Sequence, residues 1–128
     1  MKIEVSNGEI IDKITILKIK LDKIQNQEKL INIKKEFDLL EDYMPQIGVT
    51  EDHKLFQQLK DINLKLWDIE DKLRIKESKK EFDKEFIELA RSVYFTNDDR
   101  AMIKKEINHL SGSELFEEKE YVDYKKTN

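Results

Sequence analysis

The sequence predicts an all-α protein, a compact bundle of about five helices. Apolar residues recur every three or four positions along most of the chain, which is the period of a helix that buries one face. Only three glycines and one proline occur in 128 residues, so few positions favour turns. Charged residues make up 41% of the chain and are spread along it, as on the exposed faces of helices.

A helical hairpin is predicted at the N-terminus. Ser6 and Glu9 form the pattern of a capping box, so the first helix should begin about two residues after Ser6. Its apolar positions span residues 10–24, and the pattern resumes over residues 30–44 after a short polar break. Pro45 is expected to close the second helix, because a proline disfavours the helical conformation of the residue before it.

The third helix is predicted to be long and to carry a wide apolar face. Thr50 or Asp52 is its expected cap, and its leucines and isoleucines keep a regular helical spacing over residues 55–73. Phe56 and Trp67 flank this stripe and widen it. Because such a face exceeds what a small bundle needs for its own core, we expect the protein to self-associate.

A long fourth helix and a separate fifth helix are predicted between residues 78 and 110. Ser78 and Glu81 form a second capping-box pattern, at which a helix should restart after a wholly polar stretch. Thr96 is expected to cap the fifth helix, because two aspartates follow it where the helix dipole favours negative charge. The buried face of the fourth helix should consist of Phe82, Phe86, Leu89 and Val93.

The C-terminal tail, about residues 113–128, is expected to dock on the bundle as a short helix with a frayed end. Its aromatic side chains Phe116, Tyr121 and Tyr124 would anchor it. Since no linker or repeat divides the chain, residues 1–128 are predicted to form a single helical domain.

Composition and charge exclude several classes of function. The chain has no cysteine, which rules out disulfides, thiol catalysis and thiolate metal sites. Its 28 acidic and 24 basic residues give a net charge of −4 without a basic stripe, so no nucleic-acid partner is expected. Neither a membrane span nor a signal peptide is recognisable, which predicts a cytoplasmic protein. No metal site and no cofactor are predicted, because the pair Glu106 and His109 lacks the second such motif of di-iron bundles.

The segment from Arg91 to Arg100 is the best candidate for a ligand site. It combines two of the three arginines with aromatic side chains and an expected helix start, which together suit an anionic group. Asp98 and Asp99 argue against this interpretation, because an acidic first turn repels anions. Each arginine can equally pair with a carboxylate on a neighbouring helix.

Three polar stretches resemble a family of small uncharacterised bacterial and viral proteins. They read EVSNGEIIDKITIL at residues 4–17, YFTNDDR at 94–100 and EEKEY at 117–121. The resemblance covers nearly the whole chain and implies no particular activity. Similar segments occur near or joined to glycosyltransferase-type proteins of surface-polysaccharide pathways, so it implies that context. It also suggests that the three stretches converge in space to form a site or a latch.

Two functions fit these observations, and whether the chain is an enzyme stays open. The first is a binding or interaction module for a protein partner or for a second copy of the chain. The second is a site for an anionic small molecule, a phosphorylated or carboxylated metabolite such as a sugar nucleotide. Arginines would hold the anion, and carboxylates would act as acid or base. The candidate site residues are Glu9, Asp12, Lys13, Arg91, Asn97, Asp98, Arg100, Glu117, Glu118 and Tyr121.

Overall fold

The structure is a computed structural model that describes residues 1–125, and no strand occurs in that range. The predicted all-α class is therefore confirmed. The number of long helices is four, not the five expected, and a single-turn helix joins the second to the third of them. The elements are α1 (Asn7–Lys23), α2 (Gln27–Leu40), the single turn α3 (Tyr43–Ile47), α4 (Lys54–Ser78) and α5 (Lys84–Ser111).

α1 lies at the centre of the fold and contacts all the other helices, while α4 and α5 pack side by side. Ser6 caps α1, its Oγ accepting a hydrogen bond from the backbone N–H of Glu9 at 3.2 Å. Asn26 caps α2 in the same way. The core between these helices consists of Ile11, Ile14, Leu17, Ile33, Phe37, Met44, Val49, Phe56, Leu59 and Ile107.

The expectation that Pro45 ends the second helix is wrong. α2 already ends at Leu40, and Pro45 lies within the first turn of α3. A proline is tolerated there, because the first N–H groups of a helix have no acceptor within the helix. α3 ends at Gly48, whose φ of 86° is in the left-handed region that glycine adopts most readily.

His53, rather than Thr50 or Asp52, caps α4. Its imidazole Nδ1 accepts a hydrogen bond from the backbone N–H of Leu55 at 3.0 Å, which replaces the expected hydroxyl or carboxylate cap. Capping preferences favour small polar residues, so they do not predict a histidine at this position.

The predicted restart at Ser78 and Glu81 is displaced by a few residues. Ser78 is the last residue of α4, and its hydroxyl donates to the carbonyl of Ile75 at 2.6 Å. Asp83 is the cap of α5, where its Oδ1 accepts from the N–H of Phe86 at 2.9 Å. A carboxylate is an equally good cap, and here it also pairs with a lysine at the end of α4.

α5 runs through Thr96 without a break, so the predicted fourth and fifth helices are one helix of 28 residues. Thr96 is buried within it instead of capping it, and Asp98 and Asp99 lie near its middle. The helix preference of an aspartate is at most about 0.7 kcal/mol worse than that of alanine. Packing along α4 and α1 outweighs this penalty.

α4 and α5 extend past the core as a helical hairpin. At 1.5 Å per residue they are about 37 and 42 Å long, against about 25 Å for α1. No residue of the described segment 70–92 is buried, and we call this segment the hairpin tip. The predicted burial of Phe82 is accordingly wrong, since that ring is more than half exposed, while Phe86, Leu89 and Val93 are half-buried between the two helices.

Residues 113–125 form an extended tail that runs back along α5, and the predicted short helix is absent from them. Ser113 accepts a hydrogen bond from the backbone N–H of Asn7 at 3.0 Å, which places the start of the tail beside the start of α1. Further along, Phe116 packs on His109 with ring centroids 4.9 Å apart. Within residues 1–125, no helix combines the length and the apolar character needed to cross a bilayer.

Candidate functional site

A buried carboxylate joins α1 to α5. Asp12, in the middle of α1, is only 1% exposed. Arg100 binds it with two N–H groups: Nε donates to Oδ1 at 2.9 Å and Nη2 donates to Oδ2. This fork-to-fork geometry gives the strongest type of charged hydrogen bond in proteins. The hydrogen bond with Asp12 raises the pKa of Arg100 above its ordinary value, so the guanidinium keeps its positive charge.

Asn63 ties α4 to the same carboxylate. Its Nδ2 donates to Asp12 Oδ1 and to Thr15 Oγ1, both at 2.8 Å, and the Thr15 hydroxyl donates in turn to the carbonyl of Asp12 at 2.7 Å. Sequence reasoning missed Asn63. The available signal was its position between Leu59 and Leu66 on the buried stripe of α4, where an amide is buried only if it is hydrogen-bonded.

Lys104 lies one turn beyond Arg100 on α5 and is buried. Its Nζ donates to Glu9 Oε2 at 2.7 Å and lies 3.8 Å from Asp12 Oδ2. Burial lowers the pKa of Lys104, but the bond to Glu9 and the nearby carboxylates outweigh burial, so its pKa is raised above the ordinary value. Sequence reasoning missed this residue as well, although its i+4 spacing from Arg100 places the two cations on one helix face.

Glu117 connects the tail to these charges, because Lys104 Nζ donates to its Oε2 at 3.2 Å. Its other oxygen lies 3.4 Å from Lys119 Nζ. Burial raises the pKa of Glu117, and the two lysines more than reverse this effect, leaving its pKa below the ordinary value. We call the five charged residues that meet here the ion-pair cluster: Glu9, Asp12, Arg100, Lys104 and Glu117.

Four of the ten residues predicted for the site therefore belong to the ion-pair cluster. Lys13 and Arg91 lie elsewhere, Lys13 pairing with Glu36 of α2 at 2.8 Å on the surface. Arg91 is exposed on the hairpin tip and forms no ion pair with any other residue of 1–125. Glu118 is exposed and only 3.9 Å from Lys105. The expected arginine pair thus does not form, because Arg91 lies more than two turns from Arg100 along one helix.

The remaining predicted residues line an open groove of about 410 Å³ at the far end of the tail. The Tyr124 hydroxyl donates to Asp98 Oδ2, and its ring packs edge-on against Tyr94 with centroids 4.8 Å apart. Burial and the bond to Asp98 raise the pKa of Tyr124 to about 12. The groove is lined by Tyr94, Asn97, Asp98, Tyr121, Val122 and Tyr124, which include three of the four tyrosines of the chain.

A second cavity, of about 180 Å³, lies between the tail and α5 beside the ion-pair cluster. Its lining contains charges of both signs, three lysines and two glutamates. In the described part of the chain, no group of three or more histidine, aspartate or glutamate side chains is arranged to hold a metal ion. The residues lining the cavity are Ser6, Ala101, Met102, Lys104, Lys105, Asn108, Glu117, Glu118 and Lys119.

These features define an all-helical protein whose extended C-terminal tail is attached to its last helix through a partly buried ion-pair cluster. The chain belongs to a family of unknown function, DUF6165, whose model matches residues 1–127. The resemblance to an uncharacterised family is thereby confirmed. Neither a curated protein nor a solved structure is significantly similar to the chain.

Proposed function

We propose that the protein is a cytoplasmic interaction module, in which the ion-pair cluster acts as a latch that holds the tail on α5. The observation that carries this proposal is the internal pairing of the cluster. Arg100 is bonded to Asp12, and Lys104 is bonded to Glu9 and Glu117. A site that binds an anion needs an uncompensated cation, whereas a latch needs cations whose partners lie on the elements to be joined.

The dimensions of the nearby cavity also favour a latch over the alternative, a site for an anionic metabolite. Its volume of about 180 Å³ is below the range of roughly 300–1,000 Å³ that is usual for small-molecule sites. A phosphate entering it would meet Glu117 and Glu118 as well as lysines. It would therefore have to displace carboxylates that are already bonded.

The groove beside the end of the tail supports a protein partner. Tyr121 and Val122 are 67% and 86% exposed, next to Tyr94 and the polar side chains of Asn97 and Asp98. Tyrosines of this kind give large contact area at a low entropy cost and are enriched where proteins bind one another. A glycosyltransferase-type protein of a surface-polysaccharide pathway is the partner that the sequence resemblance favours.

The latch is tested by substituting two neighbouring glutamates. Glu117→Gln removes an ion pair to a buried lysine, and we expect the melting temperature to fall by several degrees, since about 1 kcal/mol corresponds to roughly 3–6 °C in a chain of this size. Glu118→Gln is the matched control and should change little, because Glu118 is exposed. Scanning calorimetry of both variants and the wild type gives the comparison.

The pH dependence follows from the lowered pKa of Glu117. A carboxylate with a lowered pKa stabilises the fold above its unfolded pKa, and this contribution is lost as the pH falls through the folded pKa. The difference between wild type and Glu117→Gln should therefore vanish in acid. If Glu117→Gln is as stable as wild type at pH 7 while inorganic phosphate or UDP-glucose raises the melting temperature of the wild type, the metabolite site replaces the latch.

The groove is tested by affinity capture with Tyr121→Ser, which removes an exposed ring from the groove. Leu39→Ser is the control, because Leu39 is equally exposed but lies on α2. A protein retained by the wild type and by Leu39→Ser, and lost with Tyr121→Ser, is the expected partner. Equal retention by all three variants would show that the groove is not the contact surface.

A further inference from the structure

The tail beyond Ser113 lies on the bundle with little of its own surface covered. We call residues 114–125 the strap, and every one of them is exposed. Within the described chain, no backbone hydrogen bond links the strap to a helix. The last such bond, from the N–H of Ser113 to the carbonyl of Asn108, comes before it. A segment with few buried contacts and few backbone hydrogen bonds opens at a much lower free energy than the fold as a whole.

Side-chain contacts at two places hold the strap on α5. Near its start, Lys104 Nζ donates to Glu117 Oε2 at 3.2 Å. Near its end, the Tyr124 ring packs edge-on against Tyr94 and Phe95, with centroids 4.8 and 4.9 Å away. Ion pairs and ring contacts that are open to water are individually weak. The strap can therefore leave α5 by breaking a few side-chain contacts, without any change in the helix beneath it.

The charges of the ion-pair cluster stay paired when the strap leaves. Lys104 keeps Glu9, whose Oε2 lies 2.7 Å from its Nζ, and Arg100 is hydrogen-bonded to α1 and not to the strap. Glu117 takes a counterion with it, because Lys119, 3.4 Å away, also belongs to the strap. Breaking a buried ion pair is costly when it leaves one charge buried alone. Opening of the strap leaves no such charge on either side.

Opening of the strap uncovers one face of α5. Ala101 on this face is half-buried, and it lines both the cavity beside the ion-pair cluster and a cavity of about 340 Å³ nearer the end of the strap. Lys104, whose side chain is 10% exposed, lies on the same face and gains access to water. Ser113 is buried and its Oγ accepts from the N–H of Asn7, so the near end of the strap stays fixed.

We propose that the strap opens and closes as one unit about Ser113 while the four long helices stay folded, so that the face of α5 around Ala101 and Lys104 is alternately covered and exposed. The proposal rests on the proposed function, because the same latch holds the strap. It adds that the latch is released and reformed under native conditions, which makes the strap a reversible cover of α5.

A single thiol beneath the strap tests the opening. The chain has no cysteine, so Ala101→Cys in the full-length protein introduces one probe, and its reaction with N-ethylmaleimide is followed in native buffer. When closing is fast, the rate is proportional to the population of the open state. We expect this rate to exceed the rate that global unfolding allows, which urea unfolding of the same variant supplies. Adding Glu117→Gln should raise it at least about fivefold, because the opening equilibrium loses a charged hydrogen bond.

Two variants serve as matched controls. Glu118→Gln, at an exposed side chain of the same strap, should change the rate for Ala101→Cys less than about twofold. Ala90→Cys places a thiol at a half-buried position of α5 on the hairpin tip, away from the strap. Glu117→Gln should leave the rate for Ala90→Cys unchanged.

NMR signals of the Tyr124 ring test the opening without a cysteine. Glu117 and Tyr124 lie at opposite ends of the contacts of the strap. Glu117→Gln should therefore move the Tyr124 ring signals toward those of a free peptide of residues 113–128 only if the strap opens as a unit. Tyr124 signals that do not change in Glu117→Gln overturn the proposal.

Labelling of Ala101→Cys only at the rate of global unfolding also overturns it, as does a rate that Glu117→Gln leaves unchanged. These outcomes are distinguishable from failure of the proposed function. An unchanged melting temperature in Glu117→Gln contradicts the latch itself. A lowered melting temperature together with labelling that requires global unfolding contradicts only the reversible opening of the strap.

Discussion

Asp12→Ala is expected to lower the free energy of unfolding by about 3–5 kcal/mol, the usual effect of breaking a buried ion pair by removing one partner. The substitution leaves the partly exposed Arg100 and the buried Asn63 without the carboxylate oxygens that they bind. At roughly 3–6 °C per kcal/mol, the melting temperature should fall by about 10 °C or more. Urea and thermal unfolding followed by circular dichroism measure both quantities.

Lys13, the residue after Asp12, supplies the control. Lys13 also forms an ion pair, with Glu36 at 2.8 Å, but both side chains are exposed, so Lys13→Ala should cost only about 0–1 kcal/mol. The double variant of Asp12 and Arg100 should be less destabilised than the sum of the two single variants, because neither charge is then left alone. Equal effects of Asp12→Ala and Lys13→Ala would contradict a structural role for the ion-pair cluster.

Gly8→Ala is expected to destabilise the protein by about 1–3 kcal/mol, the usual cost of overpacking, although alanine favours a helix by about 1 kcal/mol over glycine. An added Cβ would overlap the backbone carbonyl oxygen of Lys104 and lie 3.0 Å from Asn108 Oδ1. Asn108 Oδ1 already accepts a hydrogen bond from the backbone N–H of Gly8 at 2.6 Å. The methyl group fits between α1 and α5 only if the two helices move apart.

Gly112→Ala is the comparison for this effect. A Cβ there meets no atom within 4 Å, and the expected cost of about 1–2 kcal/mol comes only from its φ of 65°. Because Gly8→Ala separates α1 from Lys104, it should also disturb the Tyr124 ring in NMR spectra, which report whether the tail stays on α5. A Gly8→Ala variant as stable as the wild type would show that α1 and α5 tolerate a wider spacing.

Local patterns in the sequence were sufficient for the helical class and for the cap at Ser6, because helical periodicity and capping depend on residues within one or two turns. The same patterns failed at Thr96. A cap contributes about 1 kcal/mol, and it cannot compete with packing along two neighbouring helices. The prediction that Pro45 ends the second helix failed because a short helix can begin just before a proline.

The ion-pair cluster was only partly accessible from the sequence. Polar spacing and family resemblance pointed to four of its residues: Glu9, Asp12, Arg100 and Glu117. The i+4 spacing of Lys104 from Arg100 places it on the same helix face, but this spacing alone does not show that Lys104 is buried. Lys104 differs because it is buried between the carboxylates of Glu9, 95 positions before it, and Glu117, 13 positions after it. Helical periodicity determines which residues share one face of a helix. Only the packing of α1, α5 and the tail determines which charged side chains are removed from water together. Those side chains must then form ion pairs, because an unpaired buried charge is costly.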